Sequence, residues 1–131
     1  MLTLAVQPTT LAICRLDRTA AAPAWVGGDI AGGRFVSLTR TADELSIVCD
    51  ELSVPPGVKA DRGWRALKIA GPLDLALTGV LASIAQPLAE AQINLFVIST
   101  FDTDYVLVKA EKLDRALGAL RRAGHTITYT E

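Results

Sequence analysis

The sequence predicts an α+β fold, and three observations predict it. Short β-branched runs alternate apolar with polar residues or form brief apolar blocks. Two segments in the second half repeat apolar residues at three- and four-residue intervals. Turn residues separate the two kinds of segment. Half of the 131 residues are hydrophobic and only 5% are aromatic, so the expected core is aliphatic.

The first half reads mostly as strands. Residues 2–6 form one strand and residues 11–16 another, with Pro8, Thr9 and Thr10 as the turn between them. Residues 17–31 read as a linker or short helical turn, broken by Pro23 and by Gly27 and Gly28. Residues 34–40 alternate as a strand, and Thr41, Ala42, Asp43 and Glu44 form a turn or cap. Residues 45–49 are a further apolar strand. Val54, Pro55, Pro56 and Gly57 are the strongest punctuation in the chain, and the subdomain boundary is placed after residue 58.

The second half is more regular. Residues 64–69 alternate as a half-buried strand. Leu81, Ile84, Leu88 and Ala91 line one face of a helix that Thr78 could cap and Pro87 should kink. Residues 93–99 and 105–109 are strands. Leu113, Ala116, Leu117 and Leu120 line a second helix, Gly124 stops it, and residues 126–130 close the chain as a strand. The order β-α-β-β-α-β is the ferredoxin-like pattern, an antiparallel sheet with both helices on one face. Residues 1–58 are then a degenerate copy of this unit or an extension of its sheet, and residues 59–131 the complete one.

Composition excludes several functions. Thirteen basic and 14 acidic residues leave a net charge of −1, and no basic run exceeds Arg121-Arg122, so nucleic acid is not an expected partner. No apolar run approaches the roughly 20 residues that span a bilayer. The N-terminus lacks the charged start of a signal peptide, and a cytoplasmic location is expected. Cys14 and Cys49 match neither a metal motif nor a CxxC motif, and no metal or cofactor is expected. His125 is the sole histidine, and no nucleophile, base and orienting group occur as a set. The chain is therefore read as not an enzyme.

One stretch carries more polar chemistry than a hairpin needs. Ser99, Thr100, Asp102, Thr103 and Asp104 sit between two apolar strands. With the ordered run from Ser37 through Cys49, SLTRTADELSIVC, the segment ISTFDTDYVLV resembles tandem ACT-domain proteins of the aspartokinase-regulatory and CASTOR arginine-sensor type, in a small stand-alone bacterial form. Trp25, Trp64, Gly71 with Pro72 and Leu73, and Thr78 through Leu81 extend the resemblance along nearly the whole chain.

The resemblance implies two ACT-like subdomains and a regulatory protein that binds a small amino acid at an interface between ACT-like units. It places the ligand at the loop before the first helix and at the facing strand turn. The expected binding residues are Asp74, Thr78, Gly79, Val80, Ser99, Thr100, Asp102 and Asp104. A free amino acid carries an ammonium and a carboxylate, so its site needs both acceptors and donors. Asp74, Asp102 and Asp104 offer carboxylates; amides at a helix start near Gly79 and Val80 suit an anion. Gly79 allows close approach of a ligand to the backbone, and Ser99 and Thr100 can donate or accept. Asp102 and Asp104 equally suit turns closed on their own backbone. The alternative function is an interaction or oligomerisation module without a small-molecule ligand, and a homodimer is compatible with either reading.

Overall fold

A computed structural model describes residues 1–71 and 78–131. Its elements are β1 (Thr3–Leu16), α1 (Ala24–Ala31), β2 (Ser37–Arg40), β3 (Leu45–Asp50), β4 (Lys59–Ile69), α2 (Val80–Glu90), β5 (Phe96–Ser99), β6 (Asp104–Lys109), α3 (Leu113–Arg122) and β7 (Thr126–Tyr129). From β4 onward, the order matches the β-α-β-β-α-β pattern expected from periodicity.

The chain divides into two compact units. One comprises residues 1–8 and 65–131, and the other residues 9–64. The single cut expected after residue 58 differs from this division, because the first eight residues pack with the C-terminal body. They cannot bury Leu4 and Val6 alone. These side chains complete a core with Leu67, Ile69, Ile84, Leu88, Val106, Val108, Ala116, Leu117 and Leu120. The residues alternate along each strand and fall at helical spacing on α2 and α3, so both helices cover one sheet face.

The N-terminal run holds the first correction. Residues 2–6 and 11–16 are not separate strands joined at Pro8 but parts of the 14-residue β1. β1 changes partner along its length. Thr3–Val6 pairs in parallel with β7, and Leu11–Leu16 pairs antiparallel with β3. Pro8 falls in the interval between these ladders, where its missing amide hydrogen costs neither ladder a bond. In the C-terminal unit β1 lies beside β4, β4 beside β6, and β6 pairs antiparallel with β5.

The unit of residues 9–64 has its own core. Ala12 and Cys14 of β1, Leu45, Ile47 and Cys49 of β3, Val26 of α1 and Val54 pack together. α1 is the second correction: the helix runs through Gly27 and Gly28 instead of breaking there. Each internal glycine disfavours a helix by about 1 kcal/mol. The burial of Val26 against the β1–β3 face offsets that cost.

α2 departs from regular geometry at three places. Its N-cap is Gly79, at φ +77°, and not Thr78, the cap that the sequence offers. No side chain caps it, because the left-handed turn carries the chain into the helix through a residue without one. Pro87 lies inside α2 and has no amide hydrogen to give the Ser83 carbonyl four residues earlier. The His125 Nε2 stands 2.9 Å from that carbonyl. The Leu2 amide donates to His125 Nδ1 at 3.1 Å, so the ring proton sits on Nε2 and is donated to Ser83. The bond that Pro87 deletes is thus replaced from outside the helix. At the far end Gln92 adopts φ +60°, the one non-glycine residue with positive φ among those described. The Gln92 amide donates to the Ala89 carbonyl and the Ile93 amide to the Leu88 carbonyl, both at 2.9 Å, a Schellman ending.

Candidate functional site

The candidate residues fall on two segments of the C-terminal unit. Thr78, Gly79 and Val80 open α2, with Thr78 and Gly79 exposed and Val80 half-buried. Ser99, Thr100, Asp102 and Asp104 form the β5–β6 connection, exposed except for the half-buried Asp104. Asp74 lies outside the described residues.

Local chemistry builds the turn. The Thr100 amide donates to the Thr103 carbonyl at 2.8 Å, which closes the hairpin. The Thr100 hydroxyl accepts from the Thr103 amide at 3.3 Å and lies 3.1 Å from the Thr103 carbonyl. The Ser99 hydroxyl donates to Asp104 Oδ1 at 2.5 Å. Thr100 therefore shapes the turn, and Ser99 orients the Asp104 carboxylate. Asp102 stays exposed at the tip beside Phe101, which is 81% exposed.

Thr103 ties this turn to the rest of the unit. Its side chain is buried, and its hydroxyl donates to the Ile69 carbonyl at 2.7 Å. Ile69 is the last residue of β4. The turn and the exit of β4 toward α2 therefore share one end of the sheet. In the sequence Thr103 is only a turn residue, because its spacing carries no signal for a long-range bond.

Charge at this end is mixed. The carboxylates of Asp102 and Asp104 are acceptors. The first amides of α2 have no partner inside the helix and carry the positive end of its dipole. A β-carbon added at Gly79 would meet nothing within 4 Å, so its backbone faces open space. The Lys68 ammonium lies 6.0 Å from the centre of the Tyr105 ring, next in sequence to Asp104. Donors and acceptors for a zwitterion are thus present on these segments of the C-terminal unit.

A pocket of about 300 Å³ is lined by Pro87, Glu90, Ala91, Ala119, Arg122 and Ala123 on α2 and the α3 end, and none of the candidate residues lines it.

The histidine is committed to structure. His125 is buried with both ring nitrogens on backbone partners. Among the described residues no three His, Cys, Asp or Glu side chains are grouped to hold a metal ion. No helix among them is long and apolar enough to cross a membrane.

Comparison with known proteins agrees with the resemblance read from residues. The ACT domain family profile matches residues 59–122, and a second profile, for an N-terminal domain, matches residues 9–57. The human protein named cytosolic arginine sensor for mTORC1 subunit 1 is 40% identical over 98 residues, covering 66% of this chain and 30% of the relative. The chain thus spans about a third of that relative's length. A crystal structure of an Agobacterium tumefaciens protein is 39% identical, covers 99% of this chain and 94% of its own, and has a TM-score of 0.90. The regulatory subunit of aspartate kinase from Thermus thermophilus is 15% identical, with coverage of 92% and 94% and a TM-score of 0.60, a likeness of fold. These relatives are regulatory proteins by name where their names state a role. Residues 59–122 of the chain thus form a domain of the ACT family.

Proposed function

We propose that this protein is a non-enzymatic cytoplasmic regulator that senses a small amino acid. The reading rests on its ACT-domain membership and on a relative named as an arginine sensor. It treats residues 1–58 and 59–131 as two ACT-like subdomains of ferredoxin-like type. The observation that carries it is the tie between the carboxylate-bearing turn and the end of β4. Thr103 holds the carboxylate-bearing turn beside the exit of β4, from which the chain runs to the amide-rich start of α2.

In this reading the first amides of α2, exposed by Gly79, take the ligand carboxylate. Asp102 and Asp104 take its ammonium or a basic side chain, with Ser99 and Thr100 holding the turn. Asp74 adds a third carboxylate, and a second ACT-like unit supplies the facing wall. Three carboxylates favour a neutral or basic amino acid, since an acidic side chain would be repelled. Ligand occupancy shifts a partner or a second copy only through contacts that differ between the free and bound states.

A thermal-shift screen of the purified chain against the twenty amino acids tests this. A ligand at 100 times its Kd adds about 2.7 kcal/mol and moves the midpoint by several degrees. Asp104→Ala and Asp102→Ala should each weaken binding roughly tenfold or more, the scale of one charge-assisted hydrogen bond, and leave the unliganded midpoint close to the parent value. A flat screen favours an interaction module instead. A clear ligand that both variants bind like the parent moves the site elsewhere on the protein.

A further inference from the structure

Cys14 and Cys49 were only two distant thiols in the sequence, and the fold makes them neighbours. The β1–β3 register sets Ala12 opposite Cys49 and Cys14 opposite Ile47. The two cysteines are therefore diagonal neighbours on one face of an antiparallel ladder. Both belong to the core of the unit of residues 9–64, and both are at most 1% exposed. Their partners there are aliphatic or aromatic side chains.

The same unit buries a carboxylate, Asp29 of α1. Asp29 is 2% exposed, and its Oδ1 receives the Arg34 Nε at 2.8 Å. Its other oxygen, Oδ2, is buried with no hydrogen-bond partner. A buried acceptor left unpaired is costly and calls for an account. The Asp29 charge is also felt at Cys49, whose thiol is pushed up from its ordinary value. The first cause of that rise is a hydrogen bond from Cys49 to Cys14, followed by burial. The same bond, with the Arg62 charge, holds the Cys14 thiol below its ordinary value against the effect of burial. The pair is asymmetric: Cys14 is the better thiolate, and Cys49 keeps its proton.

We propose that Cys14 and Cys49 form an oxidisable dithiol, closed to an intrachain disulfide by hydrogen peroxide. The Cys14 thiolate attacks one peroxide oxygen, the O–O bond breaks, and hydroxide leaves with a proton as water. Cys14 is then a sulfenic acid. The Cys49 sulfur attacks the Cys14 sulfur, the S–O bond breaks, and the departing hydroxide takes the Cys49 proton as a second water. Two thiols and one peroxide give one disulfide and two waters. Peroxide is close to water in size, so brief local opening of the ladder admits it.

The register also predicts the character of the bond. Diagonal neighbours stand about 7–8 Å apart, and a disulfide prefers Cα atoms within about 6.8 Å. Closure therefore draws β1 and β3 together by roughly 1 Å, from the difference between those spacings. A bond formed under such strain is readily reduced, as in a switch and unlike a permanent staple.

The test uses the whole chain. The folded protein is treated with hydrogen peroxide, quenched, unfolded in a thiol-blocking reagent and weighed. The expected result is a monomer lighter by two hydrogens, with neither of its two cysteines blocked, which mild reductant restores. Cys49→Ser should stop at a sulfenic acid on Cys14, trapped by a sulfenic-specific probe, and Cys14→Ser should react at least tenfold more slowly. Two blocked thiols in the treated parent protein would overturn the proposal, as would a covalent dimer. The parent measurement decides the matter even if a serine variant does not fold.

Discussion

α2 and α3 pack on the same core, yet their sequences specify them very differently. α3 has Asp114 in its first turn, Arg121 and Arg122 in its last, and Gly124 in the left-handed position after it. Acid at the start and base at the end suit the helix dipole, and glycine suits the stop. α2 has none of these. It has no acidic residue in its first turn, no basic residue in its last, a proline inside and Gln92 where α3 has Gly124. Its defects are repaired by neighbours: His125 donates to Ser83, and Arg115 of α3 donates to the Ala91 carbonyl at 2.6 Å. α3 is self-sufficient, whereas α2 is held from outside. The start of α2 is also the helix end that the proposed function uses. Local rules are often broken where function resides.

Breaking the outside support should have the largest effect. His125→Ala leaves the Ser83 carbonyl and the Leu2 amide without their partner, and should cost about 2–3 kcal/mol. Thermal unfolding should then fall by roughly 10 °C. Pro87→Ala restores an amide to the Ser83 carbonyl, so the same histidine change in that background should cost about 1 kcal/mol less. Equal costs in the two backgrounds would show that Pro87 and His125 are not coupled.

Exchanging the two helix stops sharpens the comparison. Gly124→Ala forces a β-carbon into φ +96° and should destabilise by about 1 kcal/mol or more. Gln92→Gly relieves the same conformation and should stabilise by about 0.5–1 kcal/mol. Denaturant midpoints that move in the same direction would defeat the argument.

The smallest effect is a control outside both helices. Asp17 is fully exposed, and the Thr19 hydroxyl, followed by the Thr19 amide, holds its carboxyl below the ordinary value. A depressed folded value stabilises above the unfolded carboxylate pKa, near 3.9. That contribution is lost as pH falls through the folded value. Thr19→Val should lower stability slightly at pH 7 and flatten its fall below about pH 4, with no difference once Asp17 is protonated in both states. A change at pH 7 as large as that of Gly124→Ala would mean that the residue does more than hold Asp17.

Much of this was legible in residues. The order from β4 to β7 followed from two hydrophobic periods, and Gly124 stopped α3 where expected. The acidic turn and helix start that define the candidate site were visible as unusual polarity between apolar strands. What escaped depends on partners distant in the chain. Pro8 looked like a turn because its toleration depends on β1 leaving β7 for β3. Gly27 and Gly28 looked like a break because the burial that offsets them comes from strands. Thr78 looked like a cap because the left-handed state of Gly79 has no sequence signature of its own.

The sequence by itself determined the α+β class, the six elements of the C-terminal unit and the residue types available for recognising a zwitterion. Periodicity and turn chemistry are local, so one chain suffices to read them. The tertiary structure decided that residues 1–8 complete the C-terminal core, that Thr103 anchors the acidic turn to β4, that His125 replaces the bond lost at Pro87, and that Cys14 meets Cys49. Each of these joins residues whose separation in sequence carries no periodic signal, and only burial and hydrogen-bond satisfaction in the folded chain select them.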